Sequence, residues 1–109
     1  MKLIKAIIRP NKVDDVRAAL DKLHISGLTL TEVRGHGKQK GHTAIYRGKE
    51  YNVSLLPKME IEVVVADEMT DEAVKAIMEA ARTGEIGDGR VFVLPVGTTY
   101  RIRTGEPAV

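Results

Sequence analysis

The chain contains no cysteine and no tryptophan, and its aromatic side chains amount to three tyrosines and one phenylalanine. Without thiols neither a disulfide framework nor a thiolate metal site is available, and the fold owes nothing to a redox compartment. Charge of one sign is scarce too. The 17 Lys and Arg face 15 Asp and Glu, a formal net charge of +2, too little for nucleic-acid binding unless the bases concentrate on one surface. Long apolar runs are missing: the opening MKLIKAIIRP is broken by Lys5 and falls far short of a signal-peptide core or a membrane span, so no targeting and no direct membrane insertion are expected. His24, His36 and His42 lack metal-ligand spacing. No Ser/His/Asp set or paired carboxylate stands out, so no hydrolytic site is visible.

What is present is enough hydrophobic residue, 43% of 109, for the core of one domain spanning residues 1–109. KLIKAIIR, residues 2 to 9, is apolar on both faces, as a central strand is. In NKVDDVRAALDKLHISG, Val13, Val16, Ala19, Leu20 and Leu23 recur at helical spacing, with Asn11 as the expected N-cap, Asp14 and Asp15 in the first turn and Gly27 as the stop. LTLTEVRG alternates as a second strand and PKMEIEVVVA as a third, the latter with Met59, Ile61, Val63 and Val65 on its buried face. TDEAVKAIMEAARTG predicts a second helix capped by Thr70, with Ala73, Val74, Ile77, Met78 and Ala81 inward and Gly84 as its stop. RVFVLPV is a fourth strand and TYRIRTG a short fifth. Two βαβ halves predict an α+β, ferredoxin-like βαββαβ sandwich with both helices on one sheet face. The other face needs a cover, so oligomerisation or a ligand is implied.

Two stretches carry chemistry. RTGEIGDGR, residues 82–90, sets three glycines between a helix and a strand; glycine lets successive N–H groups turn inward as an anion nest. Arg101 and Arg103, two apart on the expected fifth strand, leave one face of it and can converge with Arg90 on a polyphosphate. Taken singly, the first is as well read as a glycine turn and the second as a charged edge strand; together they favour a nucleotide. Between Gly35 and Pro57 lies GHGKQKGHTAIYRGKEYNVSLLP, which fits neither period and is read as a long flexible loop between strands two and three. It holds Lys38, Gln39 and Lys40 between glycines, and it exposes Tyr46 and Tyr51 where no core can form around them. RNA-recognition domains share the βαββαβ order but stack bases on central-strand aromatics, of which KLIKAIIR and MEIEVVVA have none. A small nucleotide-hydrolysing enzyme lacks a base poised for water.

AIIRP, GLTLTEVRGHGKQKGHT, YRGKEYNV, LPKMEIEVVV, AARTGEIGDGRVFVLPV and RIRTGE together resemble the PII nitrogen-regulatory signal-transduction proteins over essentially the whole chain. The resemblance implies a cytoplasmic, non-enzymatic homotrimer with ATP or ADP in clefts between subunits. It implies a loop at 37–55 that inserts into partners, a phosphate-binding loop at 82–90 and a carboxyl-terminal loop at 102–109. By position, Gly87, Asp88, Gly89, Arg90 and Arg101 and, from the adjoining subunit, Arg103 would hold phosphates, Thr29, Glu62 and Val64 would meet the adenine or ribose, and Gly37 and Lys38 would also bind the nucleotide. Gln39 would ligate Mg2+ shared by ATP and 2-oxoglutarate, and Lys40, Gly41 and Lys58 with Gln39 would secure 2-oxoglutarate. Tyr51 would be the site of nucleotidylylation and Tyr46 a partner contact. Implied partners are an ammonium transporter, through which the protein reaches a membrane, a nucleotidylyltransferase, or an N-acetylglutamate kinase-like enzyme; a PII-like regulator of a different transporter or pathway is the alternative. Lys38 stands where arginine is common and Arg90 where lysine is common, each keeping charge but changing donor geometry.

Overall fold

Alternating apolar positions build a sheet, and two amphipathic helices cover one of its faces. The computed structural model describes residues 1–36, 43–46, 49–52 and 55–108. In chain order these form β1 (Lys2–Ile8), α1 (Val13–Lys22), β2 (Leu28–Gly35), β3 (Thr43–Tyr46), β4 (Lys49–Asn52), β5 (Leu56–Val65), α2 (Thr70–Ala81), β6 (Arg90–Pro95), β7 (Thr99–Tyr100) and β8 (Pro107–Ala108), with 3-10 turns at Pro10–Lys12 and Asp67–Met69. β1, β2, β5 and β6 make one antiparallel sheet in the order β2-β5-β1-β6. α1 therefore links two strands that flank β5, and α2 links two that flank β1, the interleaved split βαβ arrangement expected for this α+β chain.

Ile4, Ala6 and Ile8 of β1 lie on the helix side with Ile61, Val63 and Val65 of β5, in the register Ile4↔Val63 and Ala6↔Ile61. They meet Val16 and Leu20 of α1 and Ala73, Ile77 and Ala81 of α2 in a single core. Burying each Ile or Leu fully is worth ~1.5–3 kcal/mol over leaving it exposed. One residue departs from the expected stripe. Met78 is 41% exposed because it lies on the flank of α2 above the edge strand β6, where it lines a cleft with Val74, Val91 and Val93 rather than the core.

The helices leave the opposite face bare. Val64, Phe92 and Leu94 are 42%, 40% and 41% exposed there, and Leu3 pairs with both Val64 and Leu94 across the strands.

Both helices begin differently from the sequence expectation. Arg9 and Ala66 are extended, with ψ of 141° and 152°, and each is followed by a 3-10 turn that runs into the helix. The N-caps are thus Lys12 and Met69, and neither has a side-chain cap bond. Asn11 lies inside the turn, and the Thr70 hydroxyl donates back to the Ala66 carbonyl at 3.3 Å. The reason is local: the 3-10 turn occupies the place where a side-chain cap would act. α1 closes on a Schellman motif, with Ile25 N–H on the Leu20 carbonyl and His24 N–H on that of Asp21, at 3.0 and 2.9 Å. His24, at φ 61°, takes the left-handed position that the sequence assigns to Gly27. α2 stops at an extended Arg82, and Gly84 lies beyond it in the loop.

The segment read as a long loop is not wholly irregular. β3 and β4 pair antiparallel from Thr43↔Asn52 to Tyr46↔Lys49, consistent with the β preference of Thr, Ile and Tyr. Residues 37–42, 47–48 and 53–54, with Gly37, Lys38, Gln39, Lys40 and Gly41 among them, lie outside the described residues.

Candidate functional site

The glycine loop between α2 and β6 is built around one carboxylate. Asp88 Oδ2 accepts the N–H groups of Thr83 and Gly84, both at 2.8 Å, and Oδ1 accepts the Thr83 hydroxyl and Arg9 Nε, the latter at 3.1 Å. Thr83 Oγ1 in turn accepts the Glu85 N–H at 3.1 Å. Gly84, Gly87 and Gly89 have φ of 89°, 104° and 104°, conformations that residues with a side chain rarely adopt. Gly89 is constrained twice over: a Cβ there would lie 1.7 Å from the Ile7 carbonyl oxygen.

Two cations from the sheet reach the loop. Arg9, at the end of β1, also donates through Nη2 to the Ile86 carbonyl at 3.0 Å, and Lys58 of β5 donates to the Gly87 carbonyl at 2.6 Å. The Thr83 hydroxyl first, then the Thr83 and Gly84 N–H groups and Arg9, hold the Asp88 carboxyl well below the usual carboxylate range, against the opposing effect of burial. Burial and the neighbouring Arg9 push the Lys58 ammonium down, and Asp88 partly offsets them. With its carboxylate turned into the loop, Asp88 can meet an anion only through its backbone. Neither Arg9 nor Thr83 belongs to a motif that marks it in the sequence as part of this loop's support. The available signal for Arg9 is its position before Pro10, which disfavours helical backbone there.

Cross-strand partners share a face. Thr29 lies opposite Glu62, Lys58 opposite Val33, and Arg90 opposite Ile7. Thr29, Lys58, Glu62, Val64 and Arg90 therefore all belong to the helix-free face. A cleft of about 510 Å3 opens beside Lys58, with Glu32, Arg34, Pro10 and Pro57 on its walls; a second, of about 400 Å3, runs from Met78 to Asp88, Gly89 and Arg90.

Arg101 and Arg103 are not on a strand. β7 ends at Tyr100 and pairs only with β8, and the chain between them turns through Arg101, with Arg101 N–H on the Glu106 carbonyl at 2.9 Å and Gly105 N–H on the Arg101 carbonyl at 2.7 Å. Gly105, at φ 73°, and Pro107 impose this turn over the alternation of YRIRT. Both arginines are exposed and follow a ribbon separate from the main sheet, so the expected placement of the two on one strand face does not hold. The backbone of Tyr51 pairs with Ala44 in the β3–β4 ladder. Among the described residues no group of three or more His, Cys, Asp or Glu is placed to hold a metal, and no helix is long and apolar enough to cross a membrane.

Comparison with known proteins agrees with this architecture. A family model described as "Nitrogen regulatory protein P-II" matches residues 1–106. Proteins of that name from Rhizobium etli and Haemophilus influenzae are each 58% identical over 106 residues, 97% of this chain and 95% of theirs. Nitrogen regulatory protein P-II 1 of Escherichia coli is 57% identical over the same shares.

Proposed function

The chain belongs to the nitrogen regulatory protein P-II family, a family of regulatory proteins and not of enzymes, and from that premise we propose that it is a cytoplasmic sensor of ATP, ADP and 2-oxoglutarate acting in nitrogen regulation. The observation that carries this reading is the glycine loop: three left-handed glycines, an internally satisfied carboxylate and two cations beneath it hold backbone N–H groups in a turn suited to phosphate oxygens.

In this reading Gly87, Asp88 and Gly89 offer main-chain donors to the phosphates, and Arg90 a guanidinium. Arg101 joins them, and Arg103 comes from the adjoining subunit. Thr29, Glu62 and Val64 take the adenine or ribose, and Gly37 and Lys38 close from the loop between β2 and β5. The bare apolar patch of Leu3, Val64, Phe92 and Leu94 supports assembly as a homotrimer around the uncovered sheet faces. Lys58, beside its cleft, takes a carboxylate of 2-oxoglutarate together with Gln39, Lys40 and Gly41. Gln39 would hold Mg2+ through its amide oxygen, a hard donor of the kind this ion prefers, and the ion would supply positive charge to offset that of the anions.

Binding shifts the population of loop conformations that a partner reads. The partner is a transporter of ammonium, a nucleotidylyltransferase acting on Tyr51, or a kinase of N-acetylglutamate type, with Tyr46 at the contact. Calorimetric titration tests the reading: ATP and ADP bind and compete, and 2-oxoglutarate binds only with ATP and Mg2+. A chain that retains neither adenylate at millimolar concentration, or that sediments as a single subunit, refutes it.

A further inference from the structure

Arg9 joins the end of β1 to two residues of the glycine loop at once. It leaves the end of β1, and its two donors fall on two different loop residues, Nε on Asp88 at 3.1 Å and Nη2 on the Ile86 carbonyl at 3.0 Å. Both partners of the ion pair are partly buried, with side chains 22% and 25% exposed. Asp88 presents a problem for a loop that is to hold polyphosphate, because a carboxylate beside a site for anions repels them. The loop nevertheless needs an acceptor at this point: the N–H groups of Thr83 and Gly84 and the Thr83 hydroxyl all turn onto it. A cation on the side away from the backbone donors resolves the conflict, and Arg9 supplies it.

We infer that Arg9 is a positioning residue of the phosphate grip, which fixes the glycine loop from beneath and cancels the charge of Asp88 so that the loop amides can face a polyphosphate. The inference rests on the nucleotide-binding reading above. It gives Arg9 no direct contact with nucleotide, and so makes its effect depend on Asp88. Removing the guanidinium alone leaves an uncompensated carboxylate in the loop. The loss of affinity then grows with the charge of the ligand, from AMP to ADP to ATP. Removing the carboxylate as well relieves the repulsion, although the loop is less well held.

The test is a double-mutant cycle on the full chain, with AMP, ADP and ATP as probes in calorimetry and far-ultraviolet circular dichroism as the check of folding. R9Q is expected to weaken ADP at least tenfold and ATP more than ADP. D88N alone is expected to weaken ATP, because the loop is less well held, and R9Q/D88N to bind ATP no more weakly than R9Q, and so better than the product of the two single losses. If R9Q does not fold, R9K and R9K/D88N carry the same comparison, with a threefold or greater loss expected for R9K, because a lysine cannot span both acceptors. Affinity unchanged in the Arg9 variant, equal losses for all three nucleotides, or losses that simply multiply in the double variant overturn the inference. Wild-type protein that binds no adenylate refutes instead the reading on which it rests.

Discussion

The Lys58 ammonium lies 2.6 Å from the carbonyl oxygen of Gly87, tying the start of β5 to a loop 29 residues further along the chain. One side chain thus belongs both to the cleft proposed for a dianion and to the loop proposed for phosphates. Lys58→Met is expected to lower 2-oxoglutarate affinity at least tenfold in calorimetry and to speed amide hydrogen exchange at Gly87 to Gly89. Unchanged exchange there would show that the loop does not depend on this bond.

Gly89 is the position least tolerant of a side chain. Its φ of 104° and the 1.7 Å approach of a Cβ to Ile7 O mean that alanine must push apart backbone at the start of the β1–β6 ladder. Gly89→Ala should cost about 3 kcal/mol or more in thermal or denaturant unfolding. Gly97→Ala, with nothing within 4 Å of its Cβ, should not destabilise and should raise stability by about 0.4–1 kcal/mol through the unfolded chain.

Asp88 gives the loop a defined response to acid. Its carboxyl titrates lower in the folded chain than in the unfolded one, so its stabilisation is fully present above the unfolded value of about 3.9 and is lost as the pH falls through the folded value. The stability difference between wild type and Asp88→Asn should stay constant from about pH 5 to 8 and shrink below about pH 4. A difference that widens on acidification contradicts the assignment.

His24 holds a left-handed conformation at φ 61° that costs an L-residue roughly 1–2 kcal/mol. Glycine relieves that cost but enlarges the unfolded ensemble, an opposing term of about 0.4–1 kcal/mol. His24→Gly should therefore raise stability by up to ~1 kcal/mol at matched protein concentration, read as a higher urea midpoint with an unchanged slope. A lower midpoint would show that the imidazole makes a contribution beyond its backbone.

Much of this molecule is legible in one dimension. The two-residue period of MEIEVVV and the three-to-four-residue period of VDDVRAAL follow from which face each side chain can reach. Both correspond to the observed burial, because Ile61, Val63, Val16 and Leu20 are all in the core. Glycine spacing in RTGEIGDGR likewise identifies the loop, since only backbone free of Cβ can turn that way. Arg9 was illegible because its partners, Ile86 and Asp88, are 77 and 79 residues away. Met78 fits the apolar stripe but faces the cleft beside an edge strand, and Arg101 and Arg103 alternate like strand residues on what is a glycine-proline turn.

The sequence by itself determined the two helices, the four strands of the main sheet, their order and the residues free to become a core, because periodicity and backbone freedom are local properties of a chain. Tertiary structure alone decided which cation compensates Asp88, which lysine ties β5 to the glycine loop, and which face of the sheet the helices cover. Those outcomes depend on distances between segments remote in sequence, which arise only when the sheet brings β1, β5 and β6 side by side.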